Sequence, residues 1–246
     1  MTASRERSRS RVIWHDLECG AYVADLPLWR ALADEFGDPV LDVGAGTGRT
    51  ALDLARAGHD VTALDSDPML IAELSRRGAQ LPIRTVLADA RQFELEQRFS
   101  LIMVPMQSIQ LLGGGDGRRL FFSCAAAHLR PGGAVAVAIT EELELFAPED
   151  AIAPPTPDMR EIEGVVYSSQ PTAVREDAYG FTLERVRETI EADGRRTAEP
   201  DVVRLDRVSA TELEQEAKAA GLRALSRAVI PPTGDHVGSV VVRLIG

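Results

Sequence analysis

The sequence predicts an α/β fold built on a doubly wound, mostly parallel β-sheet, with an inserted antiparallel β region. Three observations lead to this prediction. Short apolar runs alternate with helical stretches between residues 39 and 140. These runs are nearly continuous, as expected for strands that are buried on both faces of a parallel sheet. After residue 140 the chain becomes acidic and proline-rich, and an antiparallel pattern follows.

Five apolar runs in the first region are predicted strands, and three predicted helices separate them. The strands span residues 39–43, 61–64, 83–88, 101–104 and 134–139. The helices span residues 47–57, 68–77 and 118–129. Asp67 and Pro68 indicate where the second helix begins, because aspartate is a favoured N-cap and proline fits the first helical turn.

The later part of the chain contains the insertion. Residues 141–158 predict a surface loop or lid, because prolines and acidic side chains are concentrated there. Residues 164–207 have an antiparallel pattern, in which Asp193 and Gly194 are typical of a hairpin turn.

The C-terminal residues return to the first sheet. Ser209 and Glu212 predict a capping box at the start of a helix, and Gly221 predicts the end of that helix. Residues 225–230 and 237–244 are two further predicted strands, which bring the sheet to seven strands.

These elements divide the chain into three predicted parts. Residues 1–38 form an N-terminal helical cap segment, within which the Arg- and Ser-rich residues 1–11 predict a frayed tail. Residues 39–140 together with 209–246 form the core. Residues 141–208 form the inserted antiparallel region.

Charge and composition argue against several classes of function. The 246 residues carry a formal net charge of −11, which argues against a broad nucleic-acid surface. No apolar run approaches the roughly 18–20 residues of a membrane-spanning helix, so we expect no membrane partner. Cys19 and Cys124 are far apart and lack metal-ligand spacing. We therefore expect reduced thiols, a cytoplasmic location and no metal.

A glycine-rich loop lies between the first predicted strand and the first predicted helix. Residues 42–48 read DVGAGTG. Glycines at this place permit a tight turn and a close approach of the backbone to a ligand, next to a helix N-terminus. A nicotinamide-dinucleotide fold would have a third glycine where Arg49 stands, and this argues against an oxidoreductase.

Three acidic side chains accompany three successive predicted strands. Asp42 lies beside the glycines, Asp65 ends the second strand, and Asp89 follows the third. The carboxyl ends of the strands meet at one crevice of a doubly wound sheet, so we expect the three acids to converge there. Asp42 can orient a bound cation, Asp65 can accept hydrogen bonds from the hydroxyls of a ribose, and Asp89 could accept one from an adenine amino group. Capping of turns is the alternative for Asp65 and Asp89.

Together these segments resemble the class I S-adenosylmethionine-dependent methyltransferases of the small-molecule type, which have a Rossmann-like sheet. The resemblance rests on residues 40–48 (VLDVGAGTG), 64–69 (LDSDPM), 88–90 (ADA) and 129–133 (LRPGG). It implies transfer of a methyl group from S-adenosylmethionine to nitrogen or oxygen of a small metabolite, with S-adenosylhomocysteine as the product. A non-catalytic cofactor-binding or regulatory protein and a protein methyltransferase are the alternatives.

The resemblance also implies which residues surround the methionine and ribose parts of the cofactor. Gly44, Ala45 and Gly46 would pass beneath the methionine part. Asp42 and the carbonyl group of Val104 would lie near its amino group. Asp65 would bind the ribose hydroxyls.

For the adenine end, the resemblance points to two further segments. Ser66 and Met69 would border the adenine ring. Asp89 and the backbone of Ala90 would contact its edge, and Arg91 follows them in the same turn and completes the candidate set.

Three residues are candidates for catalysis. In many methyltransferases resembling this chain, an N-terminal segment folds over the cofactor and presents a tyrosine, for which Tyr22 is the candidate here; packing on the core is its alternative. His15 could accept a proton, because histidine titrates near neutrality, although a lone histidine is more often structural. Gln107, like Gln110, would either line a small-molecule pocket or cap a turn.

Other residues and motifs bear on the methyl acceptor. His236, Tyr167 and Arg175 are further candidates for substrate contact. The segment after the fourth strand lacks the Asp/Asn-Pro-Pro-aromatic motif that nucleic-acid amino-methyltransferases usually have. We therefore expect a small-molecule substrate and no nucleic acid, and a homodimer is compatible with the inserted region.

Overall fold

The computed structural model describes residues 2–150, 155–234 and 236–246, and it divides the chain into two compact units. One unit comprises Tyr22–Glu141 and Val208–Gly246, and we call it the glycine-loop unit. The other comprises Met1–Ala21 and Glu142–Arg207, and we call it the antiparallel unit. The boundary at Ala21 falls inside residues 1–38, which the sequence predicts as a single cap segment.

The structure contains six α-helices and twelve strands within the described residues, numbered here in chain order. The helices are α1 (Thr2–Cys19), α2 (Leu26–Phe36), α3 (Arg49–Arg56), α4 (Pro68–Arg77), α5 (Gly114–His128) and α6 (Ala210–Ala219). The first five strands are β1 (Val40–Val43), β2 (Val61–Asp65), β3 (Ile83–Leu87), β4 (Phe99–Val104) and β5 (Leu129–Ile139). The next four are β6 (Asp158–Ile162), β7 (Val165–Asp177), β8 (Gly180–Ile190) and β9 (Arg196–Asp206). The last three are β10 (Arg223–Ala224), β11 (Ala228–Ile230) and β12 (Ser239–Ile245).

The glycine-loop unit contains the predicted mostly parallel sheet. Its strand order is β10-β12-β5-β4-β1-β2-β3, and β11 pairs with β12 as an eighth strand. The strands β1 to β5 pair in parallel, whereas β12 runs antiparallel to β5. This order reverses direction at β1 and β4, so the prediction of a doubly wound sheet is confirmed. The carboxyl ends of β1, β2, β3 and β4 consequently share one edge of the sheet.

The predicted sixth strand, at residues 225–230, is interrupted, and this part of the prediction was wrong. β10 and β11 both pair with β12: Ala224 lies opposite Leu244, and Ala228 lies opposite Val241. The chain advances four residues between these two pairs on the β10–β11 side but only three on β12. One extra residue therefore bulges out of the ladder. The side chain of Arg227, inside this bulge, donates its Nε to Glu214 of α6 at 2.7 Å.

Helices cover both faces of the sheet, because successive strand residues point to opposite sides. Val135, Val137 and Ile139 of β5 pack in one core cluster, together with the α5 and α6 side chains Phe121 and Leu213. The alternate residues of β5 are alanines 134, 136 and 138, and they pack in a second cluster. That cluster also contains Trp29 and Leu32 of α2 and Leu54 of α3.

Local helix signals explain where the helices of this unit begin and end. The carboxylate of Asp67 accepts from the backbone N–H of Met69 at 2.8 Å, so α4 begins at Pro68 as predicted. The predicted capping box between Ser209 and Glu212 is present at the start of α6. The helix α5 begins four residues earlier than predicted, because Gly113 adopts a left-handed conformation (φ 84°) that turns the chain directly into it.

The antiparallel unit contains a four-stranded meander in the order β6-β7-β8-β9. The predicted hairpin at Asp193 and Gly194 is confirmed, since it connects β8 to β9 and Gly194 has a φ of 84°. The carboxylate of Glu18, on α1, accepts from Nε of Arg187 on β8 and from the hydroxyl of Ser169 on β7, each at 2.8 Å. These bonds fasten α1 to the meander.

The prediction of a frayed tail was wrong over residues 2–11, because α1 already begins at Thr2; Met1 lies outside the described residues. The segment contains neither glycine nor proline between Thr2 and Cys19, and arginine and glutamate are good helix formers.

Candidate functional site

The glycine loop turns sharply between β1 and α3. Gly44, Gly46 and Gly48 all have positive φ angles, of 73°, 56° and 98°. The N–H groups of Gly44 and Ala45 both donate to the carbonyl oxygen of Leu64, at 2.9 and 3.1 Å, which ties the loop to β2. Gly48 is the N-cap of α3, so the loop leads directly into the positive end of that helix.

Gly44 also lies close to the segment that follows β4. A Cβ atom at this position would lie 2.7 Å from the hydroxyl oxygen of Ser108 and 2.9 Å from its Cβ. We expect Gly44→Ala to destabilise the protein by about 1–3 kcal/mol, because a side chain there meets both a left-handed backbone and this contact. Thermal unfolding measures the loss.

Gly58 supplies the matched control for the Gly44 prediction. It has a φ of 100°, and a Cβ there would meet nothing within 4 Å, so Gly58→Ala tests the backbone strain alone. We expect Gly44→Ala to cost more than Gly58→Ala, and adding Ser108→Gly to recover part of the difference. Equal losses in the two alanine variants would contradict the close contact.

Asp65 supports the glycine loop with its own carboxylate. One oxygen accepts from the N–H of Gly46 at 2.8 Å, and the other accepts from the N–H of Asp67 at 2.8 Å. Because an ionised carboxylate can accept about four hydrogen bonds, positions remain for two hydroxyl donors. Asp65 therefore lies at the end of β2, as the sequence predicts, and also stabilises a turn.

Asp42 is a buried carboxylate in β1. Its exposed fraction is 1%, and among the described residues neither carboxylate oxygen has a hydrogen-bond partner of normal geometry. The pKa of Asp42 is raised to about 8: burial raises it most and Asp65 and Asp25 also raise it, whereas Arg49 and the backbone N–H of Ala51 lower it. An unpaired carboxylate of this kind is costly unless a ligand completes it.

The residues proposed for the adenine end are more open. The carboxylate of Asp89, two residues beyond β3, accepts from the backbone N–H of Arg91 at 2.9 Å and from its Nη2 at 2.6 Å. The guanidinium of Arg91 lowers the pKa of Asp89. Ser66 is exposed, whereas Met69 and Ala90 are half-buried. Arg91 thus forms an ion pair with Asp89, a contact that the sequence analysis does not predict.

The segment after β4 contains a strained backbone position. Val104 is buried at the end of β4, and Met106 has a φ of 55°, which is uncommon for a residue with a side chain. Gln107 is half-buried, and its carbonyl oxygen accepts from the N–H of Gln110 at 2.8 Å. Gln110 is fully buried and exchanges two hydrogen bonds with the backbone of Thr140, at 3.1 and 2.9 Å. Gln110 therefore connects the ends of β4 and β5.

Tyr22 lies in the glycine-loop unit, close to α3. Its ring packs against the ring of His236 with 4.7 Å between centroids, and the guanidinium of Arg49 lies 5.2 Å from its centroid. Its hydroxyl is buried and has no hydrogen-bond partner among the described residues. Burial and the nearby Asp25 raise the pKa of the Tyr22 phenol, and Arg49 opposes them.

Other predicted candidates belong to the antiparallel unit. His15 is a half-buried residue of α1. The ring of Tyr167 contacts that of Trp14 edge to face, with 5.3 Å between centroids. The guanidinium of Arg175 donates to Glu149 at 2.6 Å. The structure therefore does not group these residues with the glycine loop in one unit, and their roles stay predictions.

Sequence reasoning missed Asp25 as a member of this site. Asp25 is fully buried, and its carboxylate accepts from both Nη atoms of Arg49. Arg49 had been noted only because it replaces a glycine. Arg49 is the first residue of α3, where positive charge is unfavourable, and the first turn contains no acidic residue. This feature of the sequence could have indicated that Arg49 has an acidic partner elsewhere in the chain.

Within the described part of the chain, no group of three or more histidine, cysteine, aspartate or glutamate side chains could hold a metal ion. No helix of that part is both long and apolar enough to cross a membrane.

The sequence matches a known protein family in its central part. Residues 40–133 match the family described as a methyltransferase domain. The curated Cypemycin N-terminal methyltransferase from Streptomyces sp is 28% identical over 108 residues, which are 44% of each chain. The matched segments span only 44% and 31% of the lengths of two curated relatives, which is less than half of each.

Solved structures with this fold cover nearly the whole chain. The sugar N-methyltransferase KedS8 from Streptoalloteichus sp ATCC 53650 is 18% identical, with 95% of this chain and 91% of that chain covered and a TM-score of 0.71. The amino pentose methyltransferase CalS10 from Micromonospora echinaspora, solved with its S-adenosylmethionine bound, is 20% identical, with coverages of 99% and 97% and a TM-score of 0.67. Residues 40–133 of this chain are therefore similar to a methyltransferase domain, and the chain shares the fold of these two solved structures.

Proposed function

We propose that this protein transfers a methyl group from S-adenosylmethionine to a nitrogen or oxygen atom of a small metabolite. The observation that carries the proposal is the buried, unpaired carboxylate of Asp42 beside a glycine loop with left-handed turns. A ligand that is cationic at one end and carries a ribose suits this arrangement. S-adenosylmethionine meets both conditions, and when bound it supplies an activated methyl group on a sulfonium.

The residues of the glycine-loop unit can hold this cofactor along the shared edge of the sheet. Asp42 would balance its positive end, and Gly44 and Gly46 leave room for a close approach of the backbone. The unused acceptor positions of Asp65 would bind the ribose hydroxyls. The adenine would lie towards β3, where Asp89 accepts hydrogen bonds.

The protein's contribution to the reaction is mainly alignment. Methyl transfer is an in-line displacement, and well-placed reactants can gain on the order of 7–11 kcal/mol from proximity and orientation. A general base is needed only where the acceptor loses a proton on or before attack. Tyr22, His15 and Gln107 remain the proposed catalytic residues.

We favour an amine of a small metabolite as the acceptor. The compared proteins are named as a sugar N-methyltransferase, an amino pentose methyltransferase and an N-terminal methyltransferase; the first name gives nitrogen as the methylated atom, and the second names a sugar that carries an amine. A cytoplasmic location, a homodimer through the antiparallel unit and the absence of a nucleic-acid partner are parts of the same proposal.

Calorimetry with S-adenosylmethionine and S-adenosylhomocysteine tests the proposal. We expect both to bind, and we expect S-adenosylhomocysteine to accumulate with amino sugars but not with their hydroxyl counterparts. Absence of binding at millimolar concentration would falsify the function. Tight binding without turnover across a broad panel of acceptors would favour a regulatory protein that has the same fold.

A further inference from the structure

Two charged residues of the glycine-loop unit form an ion pair whose role the reaction itself does not explain. Nη1 and Nη2 of Arg49 donate to the two carboxylate oxygens of Asp25, at 2.5 and 2.7 Å. Nη1 also donates to the carbonyl oxygen of Tyr22 at 2.9 Å. Asp25 accepts a further bond from Nε1 of Trp29 at 2.8 Å. The pair therefore joins the segment 22–25 to the first residue of α3.

Both members of the pair give up an interaction that is locally favourable. Asp25 is the N-cap of α2, where an aspartate normally accepts from the backbone, but its side chain makes no capping bond. Arg49 begins α3, where the helix dipole disfavours a positive charge, and the first turn of α3 contains no acidic residue. Neither residue is therefore explained by the preferences of its own helix terminus. This indicates that the two residues are needed for the tertiary contact between them.

The burial of the pair makes it a rigid connection. The side chain of Asp25 is 1% exposed and that of Arg49 is 10% exposed. Loss of one partner would leave the other as an uncompensated buried charge, which is far more disruptive than the loss of an exposed pair. The bidentate geometry also fixes the direction of the guanidinium, which lies over the ring of Tyr22.

We propose that the Asp25–Arg49 ion pair is a positioning device, which holds the Tyr22 segment against the glycine loop so that the cofactor meets a completed site. The inference rests on the function proposed above. Without the pair, residues 22–25 populate other positions, and the apparent affinity for the cofactor falls by the fraction of molecules in the competent arrangement. The rate of methyl transfer once the cofactor is bound is affected much less.

Variants of this pair and of a nearby exposed pair test the inference. Arg49→Met, Asp25→Asn and the double variant are compared with Arg30→Met and Asp53→Asn. Arg30 and Asp53 form a similar bidentate pair that also connects α2 to α3, but the Arg30 side chain is 49% exposed. The Kd of S-adenosylhomocysteine is measured by calorimetry, and KM and kcat are measured for S-adenosylmethionine.

We expect Arg49→Met and Asp25→Asn each to weaken S-adenosylhomocysteine binding about 10- to 100-fold, and the double variant to be no weaker than the worse single variant. KM should rise while kcat at saturation changes less than about threefold. Arg49→Lys should fall between wild type and Arg49→Met, because lysine keeps the charge but loses the bidentate geometry. The Arg30 and Asp53 variants should bind like wild type.

Three outcomes would overturn the positioning role. They are unchanged affinity in the Arg49 and Asp25 variants, additive losses in the double variant, and an equal loss in the Arg30 and Asp53 variants. If Arg49→Met does not fold, Arg49→Lys provides the same comparison. Wild-type protein that binds neither ligand defeats the proposed function, whereas wild-type binding with unaffected Arg49 variants defeats the positioning role alone.

Discussion

Replacing Asp42 with asparagine is expected to raise the free energy of unfolding, and to raise it more at alkaline than at acidic pH. Burial holds the pKa of Asp42 at about 8 in the folded protein, against 3.8 for an ordinary aspartate. Between these values the folded state keeps a proton that the unfolded state has lost. Stability of the wild type therefore falls as the pH rises through this range, and asparagine removes the dependence.

The size of this effect follows from the pKa difference. Since one pKa unit corresponds to about 1.36 kcal/mol, the asparagine variant should gain on the order of 1–2 kcal/mol near pH 5. The gain should reach several kcal/mol above about pH 8, where Asp42 is ionised in both states. Denaturant unfolding at the two pH values, followed by the fluorescence of the buried Trp29, measures the difference.

The same variant should bind S-adenosylmethionine more weakly, because asparagine cannot ionise, whereas Asp42 can lose its proton when the cationic end of the ligand lies beside it. A gain in stability accompanied by a loss of binding is the pattern expected of a group kept for function. Asp34→Asn, at an aspartate whose side chain is 77% exposed, should show neither change. A destabilised Asp42→Asn variant, or an equal gain at both pH values, would contradict the assignment.

The sheet edge at which the acids meet could be predicted from the sequence. Parallel pairing fixes where strand ends lie, so an acid in β1 and an acid at the end of β2 must approach one edge once the strands are recognised. Asp42 pairs in register with Ala63, and Asp65 pairs with Leu87, two residues before Asp89. The predicted placement therefore agrees with the structure, and the roles of these residues stay predictions.

The partners of these residues could not be predicted in the same way. Asp25 and Arg49 are separated by 24 residues, and no periodic pattern indicates that they pair. The bulge between β10 and β11 depends on one extra residue, which hydropathy does not reveal. The division of the chain at Ala21 depends on where α1 packs, and this is visible only in tertiary contacts such as those of Glu18 and Trp14 with the meander.

Asp65→Ala is expected to cause the largest loss of cofactor affinity of any single change in the glycine-loop unit. The carboxylate holds the N–H groups of Gly46 and Asp67, and its remaining acceptor positions are proposed to bind the ribose. Hydrogen bonds to a charged group contribute about 1.5–3 kcal/mol each, so loss of the ribose contacts and of the loop support should weaken binding by at least about 100-fold. Calorimetry with S-adenosylhomocysteine gives the change in Kd directly.

Asp67→Ala separates ribose binding from general damage to this turn. Asp67 caps α4, so its loss should lower stability by about 1 kcal/mol while leaving the ribose acceptor in place. We therefore expect Asp67→Ala to bind S-adenosylhomocysteine within about threefold of wild type, a small change next to that of Asp65→Ala. Adenine alone carries no ribose. The Kd for adenine should therefore differ much less between wild type and Asp65→Ala than the Kd for S-adenosylhomocysteine does. Equal affinities of wild type and Asp65→Ala for S-adenosylhomocysteine would refute the ribose assignment.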